Sequence, residues 1–265
     1  MGEPVQEYPS LLKTDVDMYI KAMHNLLTAH FYTMNDEKFT AVLQEMENFI
    51  DDNQENFSEN TRTNAFVYLY TAKINRHFLE GTFSEGLCLV PELEERIAEH
   101  QLKVDQHRVL VFYYKIACLY FGSGDNNKAI VYLNKIIHLR IGALRADIQC
   151  FARILHLIAH YELENYGLVE YLIKSVYHFI AKNKDLGQTM EEILKFLRKN
   201  IYAHPKALRS AFADLKERLV QISRNPYERR SFLYLDIISW LESKIEGVPV
   251  QEVIKRKFLK KEPRI

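Results

Sequence analysis

His156 and His160 stand four residues apart, with Glu162 and Glu164 just beyond them. On a helix that spacing puts two imidazoles on one face, the arrangement with which a single helix presents two nitrogen ligands to zinc. The zincin pattern needs Glu directly after the first histidine, and Leu157 occupies that position. No third ligand is specified. The reading that needs no metal is two rings packed in a helical core, their nitrogens bonded to backbone or water, and that is the expectation. Cys88, Cys118 and Cys150 form no CxxC pair. An odd number of cysteines in apolar helical contexts, without a secretion signal, reads as reduced, buried thiols. Asp51 and Asp52 fall at a helix end and Asp15 and Asp17 at a helix start, positions of a solvated turn and of acids near the positive end of a helix dipole. There is no Gly-rich phosphate loop, GxSxG elbow or paired-carboxylate motif. No catalytic residue, no metal and no cofactor is therefore expected.

The basic residues are the other chemical feature. Residues 1–105 carry 19 acids and 8 bases, net −11, and residues 106–265 carry 16 acids and 27 bases, net +11. Clusters in the second half include Lys195, Arg198 and Lys199, then Arg229 and Arg230, then Lys255, Arg256 and Lys257. Such footprints can bind nucleic acid or other anions. A charge run is more often the solvated face of a helix, so nucleic-acid binding through Arg229, Arg230, Lys255, Arg256 and Lys257 is the alternative reading. If chain order becomes spatial order, the two segments face opposite ends, and head-to-tail contact between copies is favoured.

These side chains must be positioned by helices. The 265 residues include only 9 glycines and 7 prolines, against roughly 19 and 13 at average usage. Periods of i, i+3, i+4 and i+7 dominate, as in Val109, Phe112, Tyr113, Ile116, Ala117 and Tyr120. Start and stop signals predict helices near 15–33, 36–51, 59–80, 83–100, 104–122, 125–139, 144–163, 166–182, 188–202, 205–223, 226–246 and 249–260. Pro91 should kink or break the fourth. The helix at 104–122 and the stretch 151–163 are apolar on nearly every side and should be buried on nearly every side. Asp125 is placed to cap the helix after Gly124, and Thr82 with Glu85 and Thr189 with Glu192 have capping-box spacing. No apolar run approaches the ~18 residues of a membrane helix. The first ten residues lack a signal-peptide pattern, and Gln6 stands where a myristoylation site needs Ser or Thr. A cytoplasmic protein without membrane contact is expected.

A turn of Gly or Asn followed by a cap recurs at Asn35, Gly81, Gly124 and Asn165, spaced 46, 43 and 41 residues apart. A small or branched residue follows five places on: Thr40, Gly86, Ala129, and Glu170 or Val169. The segment Tyr113, Ile116, Ala117, Tyr120, Gly124, Asp125, Ala129, Ile130, Leu133, Ile136 resembles the tetratricopeptide repeat, with a period longer than that family's ~34 residues. The stretches Leu119–Asp125, Gln149–Arg153 and Phe232–Gly247 also resemble the C-terminal region of a group of large bacterial tetratricopeptide-like proteins that has no established activity.

The resemblance implies an all-α fold, a right-handed α-solenoid of antiparallel helix pairs with a C-terminal capping helix. Residues 1–14 would be an N-terminal extension, 15–185 the repeats, 186–260 a C-terminal helical repeat and cap, and 261–265 a basic tail. It also implies a concave groove lined by Tyr68, Thr71, Asn75 and Phe78, then Val111, Tyr114, Cys118 and Phe121, then Phe151, Ile154, Ile158 and Tyr161. One column is aromatic, Phe78, Phe121 and Tyr161, led by Tyr32. It would hold a peptide's apolar anchors unless residues 188–258 cover it. Non-catalytic protein or peptide binding, or scaffolding, is the function this predicts.

Overall fold

The computed structural model describes residues 16–99, 105–139, 145–182, 187–225, 227–228 and 236–261, all of them helical or in the turns between helices, with no strand among them. The expected extension 1–14, residues 262–265 of the basic tail, and Arg229 and Arg230 lie outside the described residues. In chain order the helices are α1 (Val16–Tyr32), α2 (Asp36–Asn53), α3 (Glu59–Glu80), α4 (Phe83–Gly86), α5 (Val90–Glu99), α6 (Gln106–Ser123), α7 (Asn126–Ile137), α8 (Ala146–Glu162), α9 (Tyr166–Lys182), α10 (Gln188–Asn200), α11 (Pro205–Ser223), α12 (Ile237–Glu246) and α13 (Val250–Leu259). The chain divides into two compact units, residues 1–79 with 91–105, and residues 80–90 with 106–265.

In the first unit the apolar periodicity builds one core. Ile20, Met23 and Leu27 of α1 meet Phe39, Leu43, Met46 and Ile50 of α2, and Ala65, Ala72 and Leu79 of α3 join them. Burying each large side chain contributes about 1.5–3 kcal/mol. The edge of this core is held by Tyr19, whose ring meets Phe49 edge-on and whose hydroxyl donates to Glu45 at 2.8 Å. Pro91 occupies the second position of α5, after a 3-10 turn at Leu87–Leu89. A proline there removes an amide and clashes with the preceding turn, so the predicted helix 83–100 is broken as expected.

In the second unit α6 and α8 are buried on nearly all sides, whereas α7 and α9 bury one stripe each: Ala129, Tyr132, Leu133 and Ile136, and Val169, Ile173, Val176 and Ile180. Each helix from α6 to α13 packs on its described neighbour in sequence, α8 also packs on α6 and α10, and α13 returns to α6. The return is close. A Cβ on Gly81 would collide with the backbone nitrogen of Lys255 on α13, and one on Gly122 with the ring of Phe83.

The recurring turn is present with a corrected register. The left-handed residue is Met34, Gly81, Gly124 or Glu164. At the first and last turns the amide three places past the last helical residue bonds back to the fifth residue before it, Asn35 N–H to His30 O and Asn165 N–H to His160 O, which satisfies carbonyls at the helix end. Asn35 and Asn165 are thus the residues after the left-handed position. Five places on from that position stand Phe39, Gly86, Ala129 and Val169, all buried, whereas Thr40 and Glu170 are exposed.

Three local expectations are corrected. Thr82 and Thr189 do not form capping boxes with Glu85 and Glu192. The Ser84 N–H and hydroxyl are instead accepted by Gln251 of α13, at 3.3 and 2.9 Å, and the Thr189 N–H and hydroxyl by Glu228, at 3.2 and 2.8 Å. The predicted helix 226–246 is not continuous. Asn225 accepts from the Tyr227 N–H in a turn, and the helix starts at Ile237 after the cap Asp236. Finally, Cys88 is exposed, because the 3-10 turn breaks the helical phase that would have buried it. Cys118 is half-buried and Cys150 buried.

Candidate functional site

The residues expected to line a groove fall into two sets. In the first unit Tyr68 is half-buried and stacks on His24, ring centroids 4.1 Å apart and 11° from parallel. Thr71 and Phe78 are half-buried and Asn75 is buried. Tyr32 is exposed and touches Phe31. In the second unit Tyr114, Phe121, Phe151, Ile154, Ile158 and Tyr161 are all buried, and Val111 and Cys118 are half-buried. The Tyr161 ring meets Phe212 of α11 edge-on at 6.4 Å, and Phe212 in turn packs on Phe196 and Trp240. Within this column, Tyr161 thus takes one aromatic contact from the C-terminal helices and a second from Tyr166 of α9, ring centroids 5.9 Å apart.

Beside Phe121 lies a cavity of about 430 Å³ walled by Phe121, Trp240, Val250 and the turn Gly247–Pro249. Its charged members are Glu162 and Lys244, and they satisfy each other. The Trp240 indole N–H donates to Glu162 Oε1 at 2.7 Å, and the Lys244 ammonium donates to Oε2 at 2.8 Å. These partners are 78 and 82 residues apart in sequence, so no local pattern announces them.

His156 and His160 come together as predicted for one helical face, their rings edge to face at 4.5 Å. Both are buried. His160 Nδ1 pairs with the Asn165 side-chain amide at 3.1 Å, while His156 Nε2 is buried without a hydrogen-bond partner. Burial, assisted by His160, Arg153 and His138, pushes His156 down to about 4. Burial also lowers His160. Among the described residues no three His, Cys, Asp or Glu side chains form a group that could hold a metal ion. Nearby chemistry is equally quiet. Burial lowers Lys115 to about 8 and pushes the Cys118 thiol up to about 12, leaving a protonated thiol that is a poor nucleophile.

Of the expected basic surface, Lys255 is exposed. Arg256 is paired with Glu246 at 2.8 Å. Lys257 is buried, donating to Ser239 at 3.1 Å and ion-paired with Glu242, which also holds Lys216 at 2.7 Å. Burial alone would raise the Glu242 carboxyl, but the two lysines hold it below the usual range. Lys257 is thus part of a core network that ties α13 to α12 and α11.

Sequence reasoning missed two exposed faces. On α1, Met18 and Leu26 point outward with Ala22 and Ala29, and Tyr32 and Met34 extend the strip. On α9, Leu168, Tyr171 and Tyr177 are exposed, and Tyr202 beyond α10 joins them by donating to Glu170 at 3.0 Å. On α1 the signal was present as apolar residues at helical spacing on the side away from the core stripe; on α9 Tyr171 stands opposite the stripe while Leu168 and Tyr177 flank it on either side. No helix among the described residues is long and apolar enough to cross a membrane. No family model, curated protein or solved structure matches this chain.

Proposed function

We propose that the chain is a non-catalytic protein-binding or scaffolding module made of tetratricopeptide-like helical repeats, arranged as a right-handed α-solenoid of antiparallel pairs with α13 as its cap. The observation that carries this reading is the recurrence of one turn at Met34, Gly81, Gly124 and Glu164, each followed five places on by a buried residue. Repeats that bury a common position beside a common turn stack on their neighbours, and stacked repeats display extended surfaces for partners. The contacts of α8 with α6, α7, α9 and α10 fit such stacking. The groove positions Tyr114, Phe121 and Tyr161 are filled from within the chain, so the binding surface of this module lies on its exposed apolar side chains. The basic residues Arg256 and Lys257 are engaged by carboxylates, which weakens the nucleic-acid alternative.

Small-angle scattering of the full chain tests the architecture. The expected radius of gyration exceeds the roughly 18 Å of a compact domain of this length. A value at or below that figure rejects the solenoid. Tight binding of a random-sequence oligonucleotide, lost in Lys255→Glu, rejects the protein-binding reading.

A further inference from the structure

We propose that the cavity beside Phe121 and Trp240 is a docking site for a peptide segment of a partner protein. One apolar side chain enters between the aromatic walls, and its own peptide bond pairs with Glu162 and Lys244. This rests on the reading of the chain as a protein-binding module and names the chemistry that one of its sites takes. Every wall of the cavity belongs to the second unit.

The shape comes from helix ends. The last turns of α6 and α8 supply Phe121 and Glu162, α12 supplies Trp240 and Lys244, and the turn into α13 supplies Gly247 and Val248. Helices that end together need turns, and two of these turns pass through glycines with positive φ, Gly124 and Gly247. A Cβ on either would meet nothing within 4 Å, so the packed elements leave room here. The volume of about 430 Å³ falls within the ~300–1,000 Å³ of ligand pockets. Phe121 and Trp240 are buried, whereas Val248 is 36% exposed. The cavity thus has an aromatic interior and an apolar rim that reaches solvent.

The polar groups decide what enters it. Glu162 and Lys244 hold each other, yet neither is used up. Lys244 spends one ammonium donor on Oε2 at 2.8 Å, and the carboxylate accepts one bond on each oxygen, the other from the Trp240 indole. An ammonium has three donors and a carboxylate about four acceptor positions. The Lys244 and Glu162 side chains remain 33% and 17% exposed. A free ammonium on the ligand would be repelled by Lys244, and a free carboxylate by Glu162. A neutral group with a carbonyl and an N–H side by side suits both, its carbonyl accepting from Lys244 and its N–H donating to Glu162. A peptide bond is such a group, and the apolar side chain beside it is the anchor that the aromatic walls hold. A pyrimidine carries the same two groups, but its phosphate brings a negative charge to a pair that is already balanced.

Trp240 is the sole tryptophan and lines the cavity, so its fluorescence in the full chain reads occupancy. N-acetyl-L-leucinamide should shift the emission to shorter wavelength and saturate with a Kd of ~1 mM. N-acetyl-L-leucine, an anion, L-leucinamide, a cation, and isopentanol, the apolar body alone, should each bind roughly tenfold more weakly or worse. The tripeptide N-acetyl-Ala-Leu-Ala amide should bind at least as well as N-acetyl-L-leucinamide, because a partner segment runs on past the rim. Val248→Phe narrows the rim and should abolish the shift with Tm unchanged. Lys244→Met should bring N-acetyl-L-leucinamide down to the affinity of isopentanol, a change of preference that a loss of stability alone does not produce. No saturable shift with either amide, or unchanged preference in Lys244→Met, overturns the proposal. So do equal affinities of the wild type for N-acetyl-L-leucinamide and isopentanol, which leave an unspecific apolar void. Exclusion of the tripeptide assigns the cavity to a free small molecule, and tighter binding of uridine monophosphate assigns it to nucleic acid; each also overturns docking of a peptide segment. Scattering and oligonucleotide binding judge the protein-binding reading independently of all these outcomes.

Discussion

Helix starts in the first unit are capped from three residues away: the Lys38 N–H donates to Asn35 and the Thr61 N–H to Ser58. In the second unit Asp125 and Asp236 do the same, but α4 and α10 take their caps from 167 and about 40 residues away, from Gln251 and Glu228. The difference follows from position. Helices with an exposed face can end in water, where a neighbouring side chain suffices. The start of α10 is buried against the turn at Glu228, and there the orphan amides must be met by whatever packs on them; the start of α4 stays exposed but lies close enough to α13 for Gln251 to reach it. The second unit is consequently tied to its C-terminal segments, and the first unit is organised around local contacts.

The largest test of that contrast compares two glycines with the same turn conformation. Gly81 and Gly124 both have positive φ, +74° and +91°, but a Cβ on Gly81 meets the α13 backbone while one on Gly124 has nothing within 4 Å. Gly124→Ala should cost about 1 kcal/mol, the left-handed penalty alone. Gly81→Ala adds a backbone collision that no side-chain rotation relieves, and should cost about 3 kcal/mol or more. Urea unfolding followed by Trp240, the sole tryptophan and a buried member of the second unit, reads both. Equal costs would mean that α13 yields easily and that the tie is weak.

A second contrast is in acid. The second unit buries His156 as a neutral ring, with His160 edge-on, Arg153 one turn earlier and His138 beside it, all disfavouring protonation. The folded pKa of about 4 lies below the ordinary 6.5. Between these values the unfolded chain binds a proton that the folded unit refuses. Stability is therefore full above pH 6.5 and falls as pH drops toward 4, by on the order of 2–3 kcal/mol. His156→Leu should flatten this slope when unfolding is followed by Trp240 fluorescence. An unchanged slope would assign the acid sensitivity to other groups.

Much of the fold was legible because it is local. Periodicity located most of the helices to within a few residues, though not the start of the one predicted at 226–246, which begins at Ile237; the all-round apolar sequence of 151–163 announced a buried α8, and Pro91 announced a break. The turn register slipped by one at Asn35 and Asn165 because asparagine serves both as a left-handed residue and as a cap, and here it follows the left-handed Met34 and Glu164. What sequence could not supply are the tertiary partners. Thr82 and Glu85 have the spacing of a capping box, yet Gln251 does the capping. Lys257 has the look of a solvated base in a basic run, yet Glu242 and Ser239 hold it in the core. The Trp240–Glu162–Lys244 cluster joins residues that no local pattern relates, and an exposed face such as that of α1 is visible only after the core stripe is known.

The smallest predicted effect separates a near cap from a distant one. Asp125→Ala removes the acceptor for the Lys128 N–H and should cost about 1 kcal/mol. Thr82→Ala should cost less, because the Thr82 hydroxyl bonds the Glu80 carboxylate at 3.4 Å and not a helix amide. The cap function of α4 should appear instead in Gln251→Ala. Because Gln251 accepts from both the amide and the hydroxyl of Ser84, a double-mutant cycle with Ser84→Ala should give a coupling of about 0.5 kcal/mol. The contact is exposed, which keeps the value small. A coupling of zero, with Thr82→Ala as costly as Asp125→Ala, would return the start of α4 to its own neighbours and remove the contrast between the two units.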